Sequence, residues 1–101
     1  MPARDPLTPD AIQAALADLD EWDVSDDGSA IEREIQFEDF RNAVAFIVHL
    51  AFEADALDHH PEITNLYDTV SLRLNTHDAG DAVTETDLKL ARRIDSLVSG
   101  A

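Results

Sequence analysis

The chain has 101 residues, which is enough for one hydrophobic core, so we expect residues 1–101 to form a single domain. It has no cysteine, which excludes disulfides, thiol catalysis and cysteine-ligated zinc. A formal net charge of −15 disfavours binding to the phosphates of nucleic acids.

The first predicted helix begins at Thr8, Pro9 and Asp10. Threonine can cap a helix, proline suits the first helical position, and aspartate favours the positive end of the helix dipole. Apolar residues then recur at helical spacing as Ile12, Ala15, Leu16 and Leu19. We expect this helix to end near Asp20.

A strand pair is predicted around the turn at residues 26–29, where aspartates precede a glycine. Residues 31–37 alternate between apolar and charged side chains, which is typical of a half-buried strand. Residues 22–24 are its predicted hairpin partner.

A long central helix is predicted to begin after Asp39, which can cap it. Its main apolar stripe is expected to comprise Phe40, Val44, Ile47, Ala51 and Ala54. Phe46, Leu50 and Leu57 widen the apolar surface, so we expect a second buried face at an oligomer interface. The helix must end by Pro61, because a proline disfavours the α conformation in the residue before it.

The remaining residues predict a second hairpin, residues 63–67 and 70–75, followed by a last helix. Thr84 and Asp87 have the spacing of a capping box at the start of that helix. The apolar residues that mark this helix are Leu88, Ala91, Ile94, Leu97 and Val98. The element order α-β-β-α-β-β-α predicts an α+β two-layer sandwich, with a four-stranded antiparallel sheet and the helices on one face.

Neither a membrane span nor a secretory signal is evident in the sequence, so we expect a cytoplasmic protein with no membrane partner. The acidic residues are spread along the whole chain. Strong screening in a high-salt cytoplasm makes such a surface tolerable, so we hypothesise a halophilic source. An ordinary acidic protein remains the alternative.

Three histidines occur at two element ends, which are positions where catalytic groups are common. His59 and His60 follow the central helix, and His77 follows the last strand. Histidine can donate and accept protons near neutral pH. Asp55 lies four residues before His59, so a continuing helix would let its carboxylate orient that imidazole.

Other interpretations of these polar residues stay open. The histidine pair could be a solvated helix-ending turn, or imidazoles and a carboxylate could bind zinc, although no metal-binding repeat is present. Residues 23–34 have the spacing of a calcium-binding loop, but the alternation after residue 30 predicts a strand where that motif needs a helix.

The histidines belong to a longer pattern that resembles the pterin-4a-carbinolamine dehydratase family. The matching residues are Asp55, Asp58, His59, His60, Pro61, Glu62, Tyr67, Thr76, His77, Asp78 and Asp87. Five residues separate Pro61 from Tyr67 and nine separate Tyr67 from His77, and both spacings fit. Several residue types at fixed spacings are more specific than a short motif.

The resemblance implies an α+β fold, dimers that join their sheets edge to edge, and tetramers formed through the central helices. It implies dehydration of 4a-hydroxytetrahydropterin to quinonoid dihydropterin without metal or organic cofactor, with an aromatic amino acid hydroxylase as a pathway partner. His59 and His77 would then be the acid–base pair, and His60 would bind or orient the pterin. The substrate-binding residues would be Asp55, Asp58, Asp78 and Trp22.

Three features depart from the family pattern. Asp55 stands where glutamate is common, Ile63 and Thr64 stand where aromatics are frequent, and the loop from His77 to Asp87 is about one residue longer. All three histidines are retained, which favours activity. The rival interpretation is a non-catalytic pterin-binding or protein-dimerisation module, because some relatives act as transcriptional cofactors.

Overall fold

A computed structural model describes residues 5–100 of the chain. The helices and strands, in chain order, are α1 (Pro9–Leu16), β1 (Asp23–Val24), β2 (Ile31–Gln36), α2 (Phe40–Ala56), β3 (Glu62–Leu66), β4 (Thr69–Leu74) and α3 (Glu85–Gly100). A short 3-10 turn, His77–Ala79, lies between β4 and α3. The predicted α+β class and element order are confirmed.

The four strands form one antiparallel sheet in the order β1-β2-β4-β3. Alternate residues of β4 are buried, as expected for a sheet with one face against the core. Ile31 and Ile35 of β2 are also buried, and between them Arg33 meets Asp95 of α3 with 2.5 Å between guanidinium nitrogen and carboxylate oxygen. The helices cover this face of the sheet, and the buried apolar side chains form one cluster.

Helix α1 begins as predicted but ends earlier. The Ala11 amide donates to the Thr8 hydroxyl oxygen at 3.1 Å, so the predicted cap forms. The helix stops at Leu16, and turns follow instead of the expected continuation to Asp20. Those turns still bury Leu19 in the core.

Helix α2 begins at its predicted cap, because the Asn42 amide donates to the Asp39 carboxylate at 2.8 Å. Three members of the predicted main apolar stripe, Phe40, Val44 and Ala51, are exposed, so this stripe is not the face that α2 packs into the core. The residues that α2 buries in the core are Ala43, Phe46, Leu50 and Ala54. Phe46 and Leu50 therefore do not belong to an oligomer surface.

A second apolar surface does exist on α2. It consists of Phe40, Val44, Val48 and Phe52, spaced four residues apart, and we refer to it as the α2 stripe. Phe52 is the most open of the four, with 71% of its surface exposed. No helix within residues 5–100 is long and apolar enough to cross a membrane.

Candidate active site

The end of α2 sets the positions of two histidines. Asp58 adopts a left-handed conformation, with φ of 50°, directly after the last helical turn. Its amide donates to the Asp55 carbonyl at 3.0 Å, and the His59 amide donates to the Ala54 carbonyl at 3.0 Å. This pair of bonds is the Schellman pattern, which reverses the chain at a helix end. The helix therefore ends before the position at which Pro61 would stop it.

The reversal sends the two adjacent imidazoles into different environments. His59 is buried, with 5% of its surface exposed, whereas the His60 side chain is 67% exposed. The expectation that Asp55 orients His59 is wrong, because it required the helix to continue. Asp55 instead lies 3.8 Å from the Nε2 atom of His60, and both side chains are open to solvent.

The loop after β4 holds the third histidine. Thr76 and Ala82 form a β-bridge across the base of the loop, with a 2.8 Å bond from the Thr76 amide to the Ala82 carbonyl. Gly80 and Asp81 both have positive φ, at 75° and 59°. This turn brings the Asp81 carboxylate back to His77, where its Oδ1 atom lies 2.8 Å from Nδ1.

The two element ends border one cleft of about 460 Å³. Its lining residues are Asp58, His59, His60, Asn75, His77 and Asp78. All three predicted histidines and two of the predicted substrate-binding aspartates are thus brought together. Asn75 joins them from the end of β4, a position that sequence reasoning missed. The volume lies within the range of small-molecule binding sites.

A buried carboxylate holds His59. The Nε2 atom of His59 lies within hydrogen-bonding distance of Asp87 Oδ1, and Asp87 is fully buried at the start of α3. The sequence predicts Asp87 as part of the family pattern and of a capping box, but its position beside a histidine is not predictable from that pattern. Asp87 does make the contact expected of the acidic residue in a capping box, because the Thr84 amide donates to its Oδ2 atom at 2.8 Å.

Trp22 does not line this cleft. Its indole is buried in the core, and its Nε1–H donates to Asp95 Oδ1 at 2.8 Å. The same carboxylate oxygen accepts the bond from Arg33. Trp22 therefore links the residue before β1 to α3, outside the lining of the cleft.

The electrostatics of the cleft favour a protonated His77. Its hydrogen bond to the Asp81 carboxylate raises the pKa of His77 above the ordinary value of 6.5, and the negative charges of Asp81 and Asp78 add to this effect. No group of three metal-ligating side chains with metal-binding geometry is found among residues 5–100. The imidazoles of the cleft can act as proton donors and acceptors, and two of them are bound to carboxylates.

Comparison with known proteins gives one consistent result. The family model described as "Pterin 4 alpha carbinolamine dehydratase" matches residues 5–97. A protein of Mesorhizobium japonicum is 44% identical over 96% of this chain and 98% of its own length, and one of Opitutus terrae is 48% identical over 90% and 92%. Both bear the name "Putative pterin-4-alpha-carbinolamine dehydratase".

A solved structure is also similar along nearly the whole chain. The crystal structure of a "transcriptional coactivator/pterin dehydratase" from Brucella melitensis superposes with a TM-score of 0.88 at 40% sequence identity. The match covers 92% of this chain and 98% of the Brucella chain.

Proposed function

The chain belongs to the pterin-4-alpha-carbinolamine dehydratase family, and from this membership we propose that it dehydrates 4a-hydroxytetrahydropterin to quinonoid dihydropterin. The observation that carries the proposal is the gathering of His59, His60 and His77, from two separate element ends, around one cleft. Imidazoles placed on either side of a reacting centre can supply both a proton donor and a proton acceptor near neutral pH.

The reaction needs one proton given and one taken. The C4a–O bond breaks and its electron pair leaves with the hydroxyl group, which a general acid protonates to water. The N5 atom loses its proton to a general base, and its electrons form the N5=C4a double bond. His59 and His77 fill these two roles, and exchange of protons with solvent restores both rings.

The remaining polar groups of the site are proposed to bind the pterin. His60 is open to solvent next to His59 and can orient the substrate, and Asp55 Oδ1 lies 3.8 Å from its Nε2 atom. Asp58 and Asp78 offer carboxylates from the two sides of the cleft. Trp22 is expected among the substrate-binding residues, but its buried position in the core leaves it only an indirect role here. The chemistry requires neither metal nor organic cofactor.

The test is a stopped-flow absorbance assay of 4a-hydroxytetrahydropterin decay in molar KCl. We expect wild type to accelerate the decay, and His59→Ala and His77→Ala each to lose on the order of a hundredfold or more in rate. His49→Ala is the matched control, because His49 is exposed on α2 and lies outside the cleft. Decay at the uncatalysed rate with folded wild type would refute the proposal.

The cellular location, oligomeric state and pathway of the protein are proposed from the same family membership. We place the protein in the cytoplasm, as a homodimer or homotetramer, in a pathway that recycles the pterin of an aromatic amino acid hydroxylase. The second candidate function is a protein-dimerisation role, which the name of the Brucella structure and the exposed α2 stripe favour. Recovery of a specific protein with wild type, but not with a stripe variant, would support that role.

A further inference from the structure

A buried hydrogen-bond network lies behind His59. Thr76, Thr84 and Asp87 are fully buried, and they come from the end of β4 and the start of α3. Asp87 Oδ2 accepts from the Thr76 hydroxyl at 2.9 Å and from the Thr84 amide at 2.8 Å. The two threonine hydroxyl oxygens lie 2.6 Å apart. Burial of such polar groups is tolerated only when each donor is hydrogen-bonded to an acceptor.

The direction of each bond follows from the number of protons available. The Thr76 hydroxyl has one proton, and the 2.9 Å bond directs it to Asp87. Its oxygen must then accept the proton of Thr84, because the alternative bond from Thr84 to Asp87 is longer, at 3.4 Å. The network therefore directs a hydroxyl donor and an amide donor onto one oxygen of Asp87.

These donors leave the other oxygen of Asp87 for the imidazole. A carboxylate without a proton can only accept, so the Nε2 atom of His59 must carry the hydrogen of that bond. The remaining ring nitrogen, Nδ1, is then the one that a ligand in the cleft can use. Neutral imidazole in water exchanges between two tautomers, and a fixed hydrogen bond selects one of them.

We propose that Thr76 and Thr84 are positioning residues, which act through Asp87 to fix His59 in the tautomer with its hydrogen on Nε2. Given the dehydratase function proposed above, Nδ1 of His59 is then the base that takes the N5 proton. His77 is bound through its Nδ1 atom to Asp81, so its Nε2 atom is the donor for the departing hydroxyl. The two histidines thus use opposite ring nitrogens.

Thr76 also links the two histidines mechanically. It precedes His77 in the chain and forms the bridge to Ala82 that closes the loop carrying that imidazole. Its side chain reaches the carboxylate that holds His59. Loss of its hydroxyl removes a donor to that carboxylate but leaves the backbone bridge in place. It should therefore disturb the tautomer of His59, with little effect on substrate binding.

The decisive experiment reads the tautomer directly. Protein labelled with ¹⁵N-histidine is examined by NMR, in which protonated and unprotonated ring nitrogens of a neutral imidazole have well-separated shifts. We expect His59 of wild type to show protonated Nε2 and unprotonated Nδ1. In Thr76→Val the two signals should move toward the average of both tautomers, whereas Thr76→Ser should keep the wild-type pattern.

Kinetics supply the second readout. We expect kcat of Thr76→Val to fall about tenfold, the effect of one lost hydrogen bond to a charged group, with KM nearly unchanged. Thr76→Ser should recover most of the rate. Thr69→Val is the matched control, because Thr69 lies at the far end of β4 and bonds to Asp68. Thr84→Val replaces Thr76→Val if circular dichroism shows the latter unfolded.

The outcomes separate this inference from the proposed function. A wild-type His59 with its hydrogen on Nδ1, or an unchanged spectrum in the folded valine variants, overturns the positioning role. Wild type without dehydratase activity but with the expected spectra overturns the proposed function and retains the fixed tautomer. An equal loss of rate in Thr76→Ser and Thr76→Val would show that the hydroxyl is not what acts.

Discussion

The two histidines assigned to proton transfer are held by carboxylates in opposite surroundings. His59 and Asp87 are buried, so their geometry is set by packing and by the threonine network. His77 and Asp81 are exposed, at 92% and 62% of their side-chain surface, so water competes for their bond. The first pair therefore depends on the core for its position, and the second on a local turn and on charge.

Asp81→Asn tests the charge at His77. Because the Asp81 carboxylate raises the pKa of His77, the amide should let that pKa fall toward 6.5, and the ring should lose its proton at lower pH. If His77 is the acid, the decline of kcat/KM on its high-pH side should begin at lower pH in the variant. The measurement is the pH dependence of kcat/KM from pH 5 to 9.

Asp10→Asn is the control for that profile. It removes the same charge from the exposed first turn of α1, outside the cleft. It should leave the profile of wild type unchanged. A profile of Asp81→Asn that overlays wild type would show that His77 does not limit the rate as an acid.

The three histidines could be predicted because the family pattern fixes their spacing along the chain. That pattern indicates His59, His60 and His77, and all three line the cleft. It did not give the pairing of His59 with Asp87, because that contact joins residues 28 positions apart, across two element ends. Asn75 was missed because the alternating pattern does not mark the residue that directly follows β4.

The turn after α2 determines the directions in which His59 and His60 point. Asp58 occupies the left-handed position of a Schellman turn, where glycine is usual because it has no Cβ to clash. A non-glycine residue in a strained conformation is a candidate for function. Asp58 also lines the cleft, where its carboxylate is proposed to bind the substrate.

Asp58→Gly should therefore stabilise the protein and weaken catalysis. Relief of the left-handed strain is expected to raise the free energy of unfolding by about 1 kcal/mol. Asp58→Ala removes the same carboxylate but keeps a Cβ, so it should lower stability while reducing activity to a similar extent. Urea unfolding and the decay assay measure the two effects. A glycine variant less stable than wild type would show that contacts of the aspartate outweigh the strain.

Helix α2 shows why periodicity locates a helix better than its buried face. Apolar residues surround most of it, so several stripes could be drawn through the same residues. The face of α2 that turns inward is determined by the side chains against which it packs. Phe46 packs against Phe37 with ring centroids 5.1 Å apart, and the α2 stripe turns outward. Such a choice depends on contacts with the sheet and α3, which the helix alone does not encode.

The α2 stripe predicts that copies of this chain assemble into an oligomer. An exposed apolar row on a strongly charged protein is the expected centre of an interface between copies. Val48→Glu places a charge in the middle of the stripe and should reduce the assembly to a smaller species, measured by light scattering in molar KCl. Ser96→Glu adds the same charge to the exposed face of α3 and should not. An unchanged mass in Val48→Glu would place the interface elsewhere.

The net charge of −15 makes stability a function of salt. Ion pairs such as Arg73 with Glu32 and Arg93 with Glu53 engage only part of the acidic residues, so repulsion among the others opposes the compact state. The screening length falls from about 10 Å at 0.1 M to about 3 Å at 1 M, so the urea midpoint should rise steeply over this range.

Potassium chloride could also act by strengthening apolar burial, which does not depend on charge. A triple variant with amides at Asp18, Glu21 and Asp26, all exposed, separates the two effects. Under repulsion its midpoint at low salt should exceed that of wild type, and the two should converge at 1 M. Parallel salt curves for the two proteins would contradict the hypothesis of a halophilic protein.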